Sequence, residues 1–126
     1  MPVPANREDG PKNRAGALAL TILVVDDEAL IRLTVVEVFR ECGAAVLEAG
    51  NARQALDLLG RHPEISLLFT DVRMPGMSGI ELARQAQEMR PDLRIVLTTG
   101  FSQDDLSGFP VIAKPWDARA LEALCR

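Results

Sequence analysis

The sequence predicts an α/β fold: a parallel five-stranded sheet sandwiched between helices, three layers in all. Two observations carry this. From Leu20 onward five short apolar runs, "LTILVV", "AAVLEA", "ISLLFT", "LRIVLTT" and "PVIA", alternate with amphipathic segments. The first run is continuously apolar, as suits a parallel strand covered on both faces, and the second is weaker. Strand and helix in strict alternation close with right-handed crossovers. A chain of 126 residues suits one domain with one core.

The elements follow in order. Residues 1–17 hold Pro2, Pro4, Gly10, Pro11 and Gly16 among charged and polar residues, the composition of a flexible tail, so the folded domain is expected over 18–126. Arg7, Lys12 and Arg14 before "AGALALTILVV" imitate a secretory signal. That stretch runs straight into Asp26-Asp27-Glu28 without a small-residue cleavage pattern, and it is too short to cross a bilayer. It reads as a tail leading into the first strand, and no membrane partner is expected. Residues 28–42 have helical spacing, with Ile31, Val35, Val38 and Cys42 on one stripe and Gly43 as the stop. After the second strand Asn51 caps a helix with Ala52, Ala55, Leu56 and Leu59 inward, ended by Gly60 and Pro63. The third strand leads into "DVRMPGMSG". Ser78 and Glu81 fit a capping box for a helix with Leu82, Ala86 and Met89 on its inner face, closed by Pro91. After the fourth strand "GFSQDDLSG" leaves room for a turn or two of helix at most. The fifth strand precedes a short helix over 117–125 carrying Leu121, Leu124 and Cys125.

Composition removes several functions. Hydrophobic residues at 48% and charged residues at 25% describe an ordinary globular domain. The formal charge of -4 supplies no basic field, so a nucleic-acid partner is not expected. Cys42 and Cys125 lack metal-ligand spacing and read as small core residues in a reducing compartment, which implies a cytoplasmic location.

In parallel α/β sheets, ligands bind outside the carboxyl ends of the strands. Strand 1 ends at Asp26-Asp27, strand 3 at Asp71, strand 4 at Thr98-Thr99 and strand 5 at Lys114-Pro115. Each has a plain reading alone. Asp26 or Asp27 can cap the first helix, Asp71 can be a turn residue, Thr99 a strand end, and Lys114 a solvated charge. Their placement on one edge favours a shared site. Three close carboxylates cannot all stay ionised without a counter-charge, and hard oxygen ligands open to water suit Mg²⁺. A carboxylate nucleophile in such a site forms an acyl phosphate. Mg²⁺ and Lys114 then face the equatorial phosphoryl oxygens, with the Thr99 hydroxyl as a further donor.

The motifs "ILVVDDE", "LLFTDVRMPGMSGIEL", "VLTTG" and "KPW" resemble the receiver domain of two-component response regulators, over about Leu20 to Arg126. The resemblance implies a flavodoxin-like sheet in the order 2-1-3-4-5, with 18–126 as the receiver domain. It implies that Asp71 accepts a phosphoryl group from a phosphohistidine of a histidine kinase or histidine phosphotransfer protein. Asp27 and Asp71 ligate Mg²⁺, Asp26 acts through a metal-bound water, and Arg73 offers its backbone carbonyl. Thr99 matches the switch hydroxyl and Lys114 the phosphate-binding lysine, with a cis Lys114-Pro115 bond. The domain then signals to a downstream protein target as a monomer or weak dimer. It is a phosphoacceptor that assists its own phosphorylation and dephosphorylation, not an enzyme. Two departures stand out. The usual switch ring lies three positions before the lysine, where this chain has Val111, and the chain has no tyrosine. Lys114 follows Thr99 by only 15 positions (114 − 99), which leaves little room for the family's usual fourth helix.

Three other functions fit the sequence less well. A Mg²⁺-dependent aspartyl-phosphate phosphatase wants an acid two positions after the nucleophile, where this chain has Arg73. A flavin or nucleotide carrier wants a glycine-rich loop after strand 1, where this chain has carboxylates. A pseudo-receiver adaptor that is never phosphorylated does not need the intact acidic set.

Overall fold

A computed structural model describes residues 20–100 and 108–126. The expected tail over 1–17 and most of the "GFSQDDLSG" segment, residues 101–107, lie outside the described residues. Among the described residues, five strands and four helices follow in alternation up to β4: β1 Thr21–Val25, α1 Ala29–Glu41, β2 Ala45–Ala49, α2 Ala52–Arg61, β3 Leu67–Asp71, α3 Gly79–Met89, β4 Arg94–Thr99, β5 Val111–Ala113 and α4 Ala118–Ala123. All pairings are parallel, in the order β2-β1-β3-β4-β5. The expected strand order and sandwich are therefore what the chain adopts.

Strands β1, β3 and β4 are almost wholly buried because both faces of the sheet are covered there, while the edge strands β2 and β5 are partly exposed. Ile22, Val24, Phe69 and Val96 face α1 and α4, where they meet Val35, Val36, Phe39, Leu121 and Leu124. Leu23, Val25, Leu68 and Leu97 face α2 and α3, where they meet Ala55, Leu59, Leu82, Ala83 and Ala86. Helix starts use the expected side chains. Asn51 Oδ1 accepts from Gln54 N at 2.9 Å, Ser78 Oγ from Glu81 N at 3.2 Å, and Asp117 Oδ1 from Ala120 N at 2.9 Å. The return arm of the capping box is not made; the Glu81 carboxylate accepts from Gln85 Nε2 instead.

Several details differ from the sequence expectation. The inner face of α1 is Val35, Val36 and Phe39, with Ile31 and Val38 half-buried and Cys42 exposed. Apolar residues occur nearly all round this helix, so periodicity could not choose the face. The largest ring did: Phe39 packs edge-on against Phe69 of β3, centroids 5.5 Å apart at 88°. Leu30 is left 81% exposed. Neither cysteine is a core residue. Cys125 is half-buried, and its thiol is pushed up to about 12 by burial and by the neighbouring Cys42. The two thiols meet because the end of α1 packs on the end of α4. Helix α2 continues through Gly60 to Arg61 before His62 caps it. On α3 the buried set is Leu82, Ala83 and Ala86, while Met89 is exposed where the helix leaves the sheet. Asp71, by contrast, is the last residue of β3, as the strand ends implied.

Gly79 sets the approach of α3 to β3. Its N–H donates to Val72 O at 2.8 Å, and a Cβ built on it meets the Asp71 carbonyl oxygen at 2.0 Å and the Val72 Cα at 2.9 Å. The helix start is pressed against the strand end that carries Asp71, at a distance only glycine permits.

Two expectations follow for urea unfolding. Phe39→Ala should cost about 3–5 kcal/mol through the cavity it leaves, and Leu30→Ala no more than about 0.5 kcal/mol. In an ordinary helix, alanine is favoured over glycine by about 1 kcal/mol. At position 79 the sign should reverse, with Gly79→Ala destabilising by about 2 kcal/mol through overpacking on Asp71. A Gly79→Ala chain at least as stable as the parent would contradict the close approach.

Candidate functional site

The parallel register gathers the strand exits. Val25 of β1 stands opposite Ala49 of β2 and Thr70 of β3, Asp71 opposite Thr98, and Thr99 opposite Ala113. The residues after each pairing therefore emerge on one edge. There Asp26, Asp27 and Asp71 converge, each offering a carboxylate oxygen within 4.8 Å of the others. Asp26 and Asp71 are buried and Asp27 is exposed.

Lys114 supplies the counter-charge. Its Nζ lies 3.3 Å from Asp71 Oδ1 and 3.6 Å from Asp26 Oδ2. The backbone fixes its root: Lys114 N donates to Thr99 O at 2.9 Å, and the Lys114-Pro115 peptide is cis, as the resemblance implied. Burial holds the Asp71 carboxyl above the usual carboxylate range. The Lys114 ammonium opposes that rise and the neighbouring Asp26 adds to it. The site thus favours any further cation that can be shared among the three acids.

A cleft of ≈ 260 Å³ opens over this group, lined by Asp27, Glu28, Asp71, Arg73, Thr99, Gly100 and Lys114. The residues expected from the strand ends are therefore together. Asp26 sits beneath the cleft, its Oδ1 accepting from Glu28 N at 2.9 Å. It is not the cap of α1; Glu28 occupies that position without a side-chain cap bond. Exposed Arg73 reaches the rim of the cleft. The carboxylates fit a hard divalent cation: they are oxygen donors, close together, and open to water on the Asp27 side.

Two contributors escaped the reading of strand ends. Arg32, on the first turn of α1, donates from Nη1 to Asp26 O at 2.6 Å and from Nε to Glu48 Oε1 at 3.1 Å. It ties the exits of β1 and β2 together behind the acids. Trp116 donates from Nε1 to Thr98 Oγ1 at 2.6 Å, and its ring centroid lies 5.6 Å from Lys114 Nζ. Arg32 lay on a helix face that periodicity could not orient. Trp116 stood in the quoted "KPW", but nothing in the spacing said where its ring would turn.

Comparison with known proteins places the chain and its fold in one group. Residues 22–126 match the family described as response regulator receiver domain. The chain is 40% identical over 100 residues to the response regulator receiver protein CpdR of Brucella abortus, covering 79% of this chain and 81% of that protein. It is 34% identical to sporulation initiation phosphotransferase F of Bacillus subtilis, covering 76% and 82%. Among solved structures, the receiver domain of the hybrid histidine kinase CckA superposes with a TM-score of 0.74 at 30% identity, covering 82% of this chain and 94% of that one. A CheY-like receiver domain protein from Methanospirillum hungatei superposes with a TM-score of 0.77 at 27% identity, covering 84% and 90%. Matched in sequence from the first strand to the last helix and in the order of its strands, this chain belongs to the response regulator receiver domain family.

Proposed function

We propose that the domain accepts a phosphoryl group on Asp71 from a phosphohistidine of a histidine kinase or histidine phosphotransfer protein, in a Mg²⁺-dependent reaction. The observation that carries this is the placement of Lys114 between Asp71 and Asp26 at the mouth of a cleft that also presents Thr99. A carboxylate, a cation and a hydroxyl face one small open space, as transfer of a phosphoryl group with three charged equatorial oxygens to neutralise requires.

The chemistry is a displacement at phosphorus. A carboxylate oxygen of Asp71 attacks, the phosphorus–nitrogen bond breaks, and the imidazole leaves with the electron pair and takes up a proton. The product is an acyl phosphate on Asp71. The Lys114 ammonium faces the transferred oxygens, and the Thr99 hydroxyl donates to one of them. Asp27, Asp71 and the Arg73 carbonyl would hold the metal, with Asp26 contributing through water. Bound Mg²⁺ supplies Lewis-acid neutralisation of the phosphoryl charge. The domain over 18–126 then acts through contacts with a protein target, as a monomer or weak dimer. Arg73, two positions after Asp71, lacks the acid/base chemistry of the phosphatase alternative. Among the described residues no helix is long and apolar enough to cross a membrane.

Incubation with Mg²⁺ and a small phosphodonor should add about 80 Da to the intact mass, the mass of one phosphoryl group. The adduct should be absent in Asp71→Asn and without Mg²⁺. Lys114→Ala should form it about a hundredfold more slowly, the usual loss for one charge-stabilising donor. An adduct that persists in Asp71→Asn would falsify the assignment, and steady turnover of phosphate esters would favour the phosphatase.

A further inference from the structure

Lys114 is joined to a second structure on the side away from the cleft. Trp116 follows it by two residues, and the indole Nε1–H reaches Thr98 Oγ1 at 2.6 Å. Thr98 is buried and pairs in register with Asp71 on one side and Ile112 on the other. Its hydroxyl and the indole N–H are two polar groups in an apolar layer, and each satisfies the other. The same ring tilts against Phe69, centroids 6.2 Å apart, and Phe69 packs on Phe39. The indole is therefore held at its polar tip and on its face.

We propose that Trp116, tied by Thr98, is a positioning residue for Lys114: its ring limits the ammonium to the conformation that faces Asp71. This goes beyond the phosphoacceptor reading but rests on it for the consequence in rate. A lysine stem is long and flexible, and two carboxylates attract its charge without choosing a path for the stem. The ring adds a third contact, with the ammonium 5.6 Å from its centroid, within the range of a cation–π attraction. The carboxylates hold the charge at the edge, and the ring selects the rotamer. When Asp71 carries a phosphoryl group the ring contact remains, so the ammonium stays in reach of the new oxygens.

The test uses both lysines of the sequence, Lys12 and Lys114. Isotope-labelled lysine gives two side-chain signals, and a lysine held against an indole is shifted upfield by its ring current. The Lys114 side-chain signal should lie upfield of the Lys12 signal in the parent protein. The shift should shrink in Thr98→Val, which keeps the strand but removes the acceptor. Trp116→Phe, which keeps a ring on Phe69 but lacks the N–H, should act in the same direction. With Mg²⁺ and a small phosphodonor, adduct formation in Thr98→Val should slow about three- to tenfold, as expected for one lost hydrogen bond and a loosened cation. Folding of each variant is checked by its urea midpoint, and the signals are compared between folded chains only. A Lys114 signal at the Lys12 position in the parent overturns the proposal. So does a folded Thr98→Val whose rate stays within about twofold of the parent, less than one hydrogen bond contributes. If the parent accepts no phosphoryl group, the phosphoacceptor reading fails by itself. The lysine signals need no phosphodonor and still decide whether Thr98 and Trp116 hold the ammonium.

Discussion

Three carboxylates crowd one edge of a sheet, and the molecule is arranged around keeping them there. Burial and the neighbouring Asp26 both act against the ionised form of Asp71. Lys114 offsets part of this from 3.3 Å and 3.6 Å. It can do so only because β5 is parallel to β4 and ends level with it, so that Thr99 O anchors the lysine's own N–H. Arg32 steadies the opposite flank through the Asp26 carbonyl. The cluster is thus built from long-range strand pairing: residues 26, 71, 99 and 114 meet only if the register is right, and a slip of one residue would turn each side chain to the other face.

The close contact at Gly79 belongs to the same constraint. A buried acid at a strand end needs a backbone that does not drift, and the start of α3 pressed on Asp71 and Val72 supplies it. The loop from Val72 to Ser78 is pinned at both ends: Val72 N donates to Thr98 O, and Gly79 N donates to Val72 O. A small residue at the head of a helix is an unremarkable feature of sequence, yet here it sets the distance between two layers.

Most of this was legible from the sequence because it depends on chain order and strand ends. Continuously apolar runs marked the strands, and the rule that sites lie beyond carboxyl ends picked Asp26, Asp27, Asp71, Thr99 and Lys114. What remained hidden depends on direction about an element's own axis. Helix α1 is apolar nearly all round, so Phe39 and Arg32 could not be assigned to a face. Cys42 was expected inside and lies exposed, because Phe39 rotates the helix toward Phe69. Met89 follows the right spacing, but α3 has left the sheet by then. Nothing in the sequence singled out Gly79, since a close approach between backbones leaves no trace in hydrophobic pattern.

The adjacent threonines of β4 show how the edge divides its work. Successive strand residues face opposite sides, so Thr99 lines the cleft while Thr98 turns into the layer of Phe69 and Trp116. Val111, at the position where the family usually carries a ring, is exposed on the last strand. The aromatic group near the lysine lies instead after it, at Trp116, immediately before the Asp117 cap of α4. The chain from Lys114 through Pro115 and Trp116 into α4 is thus a short path braced by Thr98. Thr98 opposes Asp71 in the register, so the strand pair that carries the proposed phosphoacceptor also holds the far end of that path.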